Sequence, residues 1–197
     1  MLSLFAVTCL VAQASDVPTD AREIKPLKVG VAAPSVKLDS MSAKPVNLAD
    51  ALGGKPTVLV FYRGGWCPFC NTHLAELGQI ADEVKAKGAQ IIGISPDTAA
   101  ELEKSVGKHK LGYTLLSDSK GEAMRKFGIA FRVDDETFTM YRDRFKIDLE
   151  KASGEKHHYL PVPSVFVIDA KGKITFAYSN PDYKVRLKGK DILAALN

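Results

Sequence analysis

Two cysteines separated by two residues, Cys67 and Cys70 in the run Gly64-Gly65-Trp66-Cys67-Pro68-Phe69-Cys70, are the side chains of this 197-residue chain best suited to covalent chemistry. A thiolate is the nucleophile in disulfide exchange, and a second sulfur one helical turn away is near enough to attack a mixed disulfide on the first. Pro68 suits the first turn of a helix, where its missing N–H costs nothing. The Cys67 sulfur then lies at a helix N-terminus, beside unpaired N–H groups and the positive end of the dipole, a setting that favours thiolate over thiol. Trp66 and Phe69 wall the pair with apolar surface, and Gly64-Gly65 opens the backbone beside it. A buried structural thiol needs neither feature, so the residues point to a redox centre.

The elements that must hold these cysteines are legible on either side. Thr57 to Tyr62 is a continuous apolar, β-branched run, as expected of a strand buried on both faces. From Pro68 to about Lys87 the apolar positions Leu74, Leu77, Ile80, Ala81 and Val84 recur at helical spacing, with Gly88 to end the helix. Ala89–Ile94 reads as a second buried strand. A helix capped by Ser95 or Asp97 and carrying Leu102 and Val106 comes next, then Leu115-Leu116 and a helix around Ala123–Phe127. Val165–Ile168 and Ile174–Tyr178 flank a turn and predict a hairpin, and Asp191–Leu196 a last helix. An earlier hairpin is expected over 35–48. The order predicts an α/β domain with a mixed central sheet flanked by helices. Residues 132–160 form an insertion in which Phe138, Tyr141, Phe145 and Leu149 fall near one helical stripe, expected to patch onto the core.

Length and composition, with 46% hydrophobic and 25% charged residues, fit one globular domain over 30–197. The net charge of +4 is scattered, and no basic block is interleaved with aromatics, which gives nucleic-acid binding no support. The densest basic stretch, Lys184 to Lys190, reads as a solvated face. Residues 1–14 are mostly apolar and end Ala12-Gln13-Ala14, which predicts a signal peptide and export, to the periplasm in a bacterium. If that segment is not a signal, the protein is cytoplasmic. Residues 15–29 are expected to form a loose leader. With Cys9 removed, Cys67 and Cys70 would be the only cysteines of the mature chain, too few for a disulfide framework. A lone CxxC is half a zinc site, so no metal and no cofactor is assigned.

Several stretches resemble a known family. Val29–Pro34, Gly54–Arg63, and Phe166–Asp169 with Gly172-Lys173-Ile174 are similar to the alkyl hydroperoxide reductase/thiol-specific antioxidant, or peroxiredoxin, family. The run Phe61–Cys70 resembles its subgroup with a thioredoxin-type CxxC, and the insertion ending Leu160-Pro161-Val162-Pro163 fits the same subgroup. The resemblance implies a thioredoxin fold and an antioxidant-type thiol oxidoreductase acting on thiols, disulfides or peroxides, with a thioredoxin-like electron donor or acceptor. It also implies that Val162-Pro163-Ser164, just before a late strand, holds a cis proline facing the CxxC and presents its backbone to an incoming peptide.

The departures from the family pattern are equally informative. Where the family carries Pro-x-x-x-Thr/Ser-x-x-Cys, this chain has Arg63 at the proline, Cys67 at the threonine and Cys70 at the peroxidatic cysteine. Pro163 stands where the family's peroxide-activating arginine usually lies. The CxxC alone favours disulfide exchange led by Cys67, with Cys70 resolving. Trp66, Pro68, Val162 and Pro163 are then the substrate contacts, and Arg63 a source of positive charge. The frame offers the alternative of a thiol peroxidase, with Cys70 (or Cys67) forming a sulfenic acid and the other cysteine closing the disulfide.

Overall fold

A computed structural model describes residues 17–109 and 111–196. The segment expected to be a signal peptide lies outside the described residues. Among these, no helix is long and apolar enough to cross a membrane.

The first hairpin pairs β1 (Lys37–Ser40) with β2 (Pro45–Asn47) and is followed by the short α1 (Leu48–Leu52). β3 (Thr57–Phe61) is buried at every position and leads through 62–67 into α2 (Pro68–Ala86). β4 (Gln90–Ser95), α3 (Ala99–His109), β5 (Thr114–Ser117) and α4 (Glu122–Lys126) come next. The order of the large sheet is β2-β1-β5-β4-β3 and then β8 (Ser164–Ile168) and β9 (Ile174–Ser179). β3, β4 and β5 run parallel, while β8 runs antiparallel to β3 and β9 to β8, so the sheet is mixed as expected.

The two-residue period of the strands sorts side chains between two cores. Leu59 and Phe61 of β3 join Ile92, Ile94, Phe166 and Phe127 on one face. Val58, Val60 and Tyr62 join Leu74 and Leu77 of α2, Leu102 of α3 and Ile192 of α7 (Gly189–Ala194) on the other. Both cysteines belong to this second core. Cys70 opens the buried stripe of α2 that continues through His73, Leu74, Leu77 and Val84, so the periodicity that makes the helix amphipathic also buries its sulfur.

Two regions differ from the sequence expectation. Residues 17–29, expected to be a loose leader, are tied down: Lys25 N–H donates to Gly128, Leu27 N–H to Phe127, and Arg132 N–H to the Pro18 carbonyl. Val17, Ile24 and Leu27 pack against the first core. The insertion is helical, with α5 (Asp135–Phe145) and α6 (Leu149–Ser153), but it is bracketed by a two-stranded ribbon of β6 (Ala130–Arg132) and β7 (Tyr159–Pro161). Val133, Phe138, Leu149 and Leu160 form a third small core, against which Trp66 also packs. Tyr141 packs there too, whereas Phe145 is more than half exposed.

Candidate active site

Cys67 is the N-cap of α2, and Pro68 is its first residue. The Cys70 and Asn71 N–H groups both donate to the Cys67 carbonyl at 3.0 Å, which fixes the first turn. Gly64 and Gly65 are required there for close approach. Gly64 has φ +145°, and a Cβ on it would collide with the Trp66 indole nitrogen and Asp97 Oδ1. A Cβ on Gly65 would overlap Ser105 Oγ. The loop is pinned from both sides: Gly65 N–H donates to Asp97 Oδ2 at 2.7 Å, and Asn71 Nδ2 donates to the Gly65 carbonyl at 2.9 Å.

The two sulfurs are both free thiols and both buried, Cys67 at 2% and Cys70 at 0% exposure, yet their surroundings differ sharply. Cys67 accepts hydrogen bonds from the Cys70 S–H and from the Cys70 backbone N–H, and the guanidinium groups of Arg63 and Arg186 lie near it. The first of these effects is the largest, and together they overcome burial to bring the Cys67 thiol down to about 6. Burial, and the neighbouring Cys67, push the Cys70 thiol well above the ordinary range. The lowered thiol is thus the one at the helix N-cap, and the raised one lies a turn inside the helix.

Arg63, expected only as a nearby positive charge, sits in an aromatic cage. Its guanidinium carbon lies 4.3 Å from the Tyr183 ring centroid, 5.2 Å from Trp66 and 5.7 Å from Tyr141. Its Nη2 donates to the Tyr141 hydroxyl at 2.7 Å. The insertion thus walls the active site as well as patching the core: Tyr141 of α5 holds the arginine, and its ring stands 6.3 Å from Trp66. Phe69 is largely exposed and meets Tyr183 edge-on at 5.7 Å.

The sequence reading misses three further residues. Arg186, placed there on a solvated face, directs Nη2 to the Cys70 sulfur at 3.4 Å. His73 is buried beside it and hydrogen-bonds the backbone of Leu187; burial and the Arg186 charge bring it down to about 4, so it stays neutral. Asp97, read as a helix cap, instead lines a cavity of about 330 Å³ with Gly65, Trp66, Ser105 and Ile147. Burial raises its carboxyl to about 7. Among the described residues no three histidine, cysteine or carboxylate side chains come together to hold a metal.

Val162 and Pro163 depart from expectation. The register Phe61 opposite Ser164 does place Pro163 at the sheet end that carries the CxxC. No described peptide bond is cis, however, so Pro163 is trans. Nor is its backbone available to a peptide. Val162 N–H donates to the Ile129 carbonyl at 2.9 Å, the Val162 carbonyl accepts from Ser164 Oγ at 2.8 Å, and the Pro163 carbonyl accepts from Asn180 N–H at 3.2 Å. Both residues are buried. The intramolecular contacts that close the sheet end consume the groups a docking peptide would need.

Comparison with known proteins bears on the family and the fold. Residues 29–177 match the model of the AhpC/TSA family. Peroxiredoxin Bcp of Escherichia coli (strain K12) is 33% identical over 106 residues, covering 54% of this chain and 67% of that protein. The chloroplastic peroxiredoxin Q of Triticum aestivum is 28% identical over 151 residues, covering 77% of this chain and 58% of that protein. Peroxidoxin BcpB from Mycobacterium tuberculosis superposes with a TM-score of 0.65 at 24% identity, over 86% of this chain and 96% of that one. Reduced Prx3 from Vibrio vulnificus, solved in complex with hydrogen peroxide, gives a TM-score of 0.70 at 19% identity, over 87% and 99%. With a thioredoxin-like fold and a dithiol at its strand-to-helix junction, this chain belongs to the AhpC/TSA family and is a thiol-dependent oxidoreductase on the peroxiredoxin frame.

Proposed function

We propose that this protein is a thiol peroxidase reducing hydrogen peroxide or alkyl hydroperoxides, with Cys67 as the attacking thiolate and Cys70 as the sulfur that closes the disulfide. The observation that carries this reading is the asymmetry of the pair: Cys67 stands at the N-cap of α2, where its neighbour Cys70 and two guanidinium groups bring its thiol down to about 6, while burial keeps Cys70 a thiol. The family frame sets Cys70 at the peroxidatic position; the lowered Cys67 thiol favours the other sulfur as the leading thiolate in this reading.

In this scheme the Cys67 thiolate attacks the terminal peroxide oxygen. The O–O bond breaks, the departing alkoxide or hydroxide takes a proton from solvent, and Cys67 becomes a sulfenic acid. The Cys70 sulfur then attacks the Cys67 sulfur. The S–S bond forms, and the hydroxyl leaves as water with the proton that Cys70 gives up. A thioredoxin-type dithiol, the class of reductant the family frame suggests, returns the pair to its reduced form by two-electron exchange.

A small oxidant suits two sulfurs that are nearly closed to solvent. Peptide disulfides, which the CxxC taken alone favours as substrates, suit it less well, because the backbone around Pro163 is already paired. The peroxiredoxin relatives, and the hydrogen peroxide bound in the Vibrio vulnificus neighbour, favour the same choice.

Stopped-flow mixing of reduced protein with hydrogen peroxide, followed by the fluorescence of the single tryptophan, Trp66, tests the assignment. Oxidation faster than that of a free thiol is expected, with a pH midpoint near 6 for Cys67. It should be lost in Cys67→Ser, and in Cys70→Ser it should stop at the sulfenic acid. A rate no faster than a free thiol's sinks the peroxidase reading. Retention of the rate in Cys67→Ser together with its loss in Cys70→Ser exchanges the two roles.

A further inference from the structure

The Cys70 sulfur occupies a site built for an anion that the reduced protein does not place there. Nη2 of Arg186 donates to it at 3.4 Å, and the backbone N–H of Arg63 also favours a negative charge there. Arg186 has no carboxylate within ion-pairing distance among the described residues; its Nη1 donates to the carbonyl of Val185, and its buried Nε has no partner. The segment that carries it, residues 180–188 after β9, is held in place. Asp182 N–H donates to Asn180 Oδ1, Lys184 N–H to Asp182 Oδ1, and Val185 N–H to the Asp182 carbonyl. Leu187 packs into the second core, with its backbone hydrogen-bonded to the His73 ring. A half-buried cation aimed at the Cys70 sulfur, with no carboxylate of its own, meets a charge on that sulfur in another state of the cycle.

That state follows from the charge balance. While Cys67 is a thiolate, a second negative charge on Cys70, one turn away, is strongly disfavoured. Once Cys67 is a sulfenic acid its charge is gone, and Cys70 must supply the electron pair for the S–S bond. In the reductive half-cycle a donor thiolate attacks the Cys67 sulfur, the S–S bond breaks, and the electron pair departs on Cys70. A leaving thiolate of lower basicity leaves faster.

We propose that Arg186 is a catalytic residue of the second chemical step: it holds the Cys70 sulfur as a thiolate while that sulfur attacks the Cys67 sulfenic acid, and receives it again as the leaving thiolate on reduction. The proposal rests on the reading of Cys67 as the leading sulfur. It assigns Arg186 to the resolving sulfur. His73 is a positioning residue that anchors the backbone next to it.

The test uses the full chain, with hydrogen peroxide as oxidant, in wild type, Arg186→Met and Arg186→Lys. Trp66 fluorescence separates the peroxide-dependent phase from the peroxide-independent closure, and dimedone with mass spectrometry captures the sulfenic acid. Arg186→Met is expected to slow closure at least about tenfold, the scale of a charge-assisted hydrogen bond, and far more than it slows the first phase. It should accumulate the dimedone adduct on Cys67 and move the pH profile of closure upward. Arg186→Lys should recover part of the rate. Unchanged closure, or both phases slowed by the same factor, overturns the proposal.

A second measurement does not depend on peroxidase activity. The pH midpoint of Cys70 alkylation is compared in Cys67→Ser and in Cys67→Ser/Arg186→Met. A rise of about one unit on losing Arg186 supports the role; no shift overturns it. A wild type that fails to react with peroxide but shows this shift refutes the peroxidase reading and leaves Arg186 as the stabiliser of the Cys70 thiolate in disulfide exchange.

Discussion

Asp97 and Asp118 stand at the same end of the sheet, just beyond the parallel strands β4 and β5, and are both almost fully buried, but they are used in opposite ways. Asp118 is satisfied on both oxygens: Oδ1 accepts from Ala123 N–H at 2.9 Å and Oδ2 from Met124 N–H at 2.8 Å, so it caps α4. Asp97 gives Oδ2 to Gly65 N–H and Ser95 Oγ, and leaves Oδ1 without a partner, close to where the Gly64 backbone passes. Burial raises both carboxyls to about 7. The difference teaches that a strand-end aspartate serves whatever unpaired backbone lies beside it. The Asp118 side chain after β5 caps the helix that follows, and the Asp97 side chain after β4 holds the neighbouring loop that leads from β3 into the dithiol.

The contrast can be broken most forcefully at Asp118. Asp118→Ala strips the acceptors from two buried N–H groups at the start of α4 and is expected to cost about 2–4 kcal/mol in thermal or urea unfolding. Peroxide reactivity per folded molecule should remain at the wild-type level. A loss under about 0.5 kcal/mol would mean that water replaces the cap and that the two sites are alike.

A smaller effect separates the two by pH. A carboxyl raised from 3.8 to about 7 in the folded state binds a proton that the unfolded chain has already lost, so stability is fully present below about pH 4 and declines as pH rises towards 7. Asp97→Asn keeps an acceptor for Gly65 N–H and removes one of the two declines. Chemical denaturation should then show stability falling about 3 kcal/mol less than in wild type across that window. An unaltered slope would place the effect wholly on Asp118. The smallest change is Ser95→Ala, which takes one donor from Asp97 and none from Asp118. It is expected to cost about 1 kcal/mol and to shift only the Asp97 carboxyl signal upward in an NMR titration. Movement of both signals would show that the two sites are coupled.

What the sequence makes legible is local. The β3 run, the α2 stripe and Pro68 after Cys67 fall within one stretch of chain, and each is set by its own periodicity or by a backbone requirement. Arg186, Tyr183, Tyr141 and Asp97 are not legible, because each reaches the dithiol from a separate element and depends on how the chain closes. The basic run that holds Arg186 looks like solvated surface until His73 and the second core draw residues 186 and 187 inward. The strands β6 and β7 have three residues each, too few for alternation to register. The cis expectation at Pro163 fails for a related reason. A motif fixes which residues stand there, but the pairing of Val162 N–H and the Pro163 carbonyl is decided by Ile129 and Asn180, far away in sequence.

The arginines beside the dithiol also set a thermodynamic bias. Arg63 rests on three aromatic rings and a tyrosine hydroxyl, and Arg186 on a backbone carbonyl and a sulfur; the Cys67 thiolate is the anion they share. Closing the disulfide removes that anion and leaves both cations in place. In a cycle linking folding to oxidation, whatever favours the folded dithiol raises the reduction potential of the pair by the same free energy. In the proposed cycle the disulfide is therefore given up readily, and the reduced form should be the harder of the two to unfold.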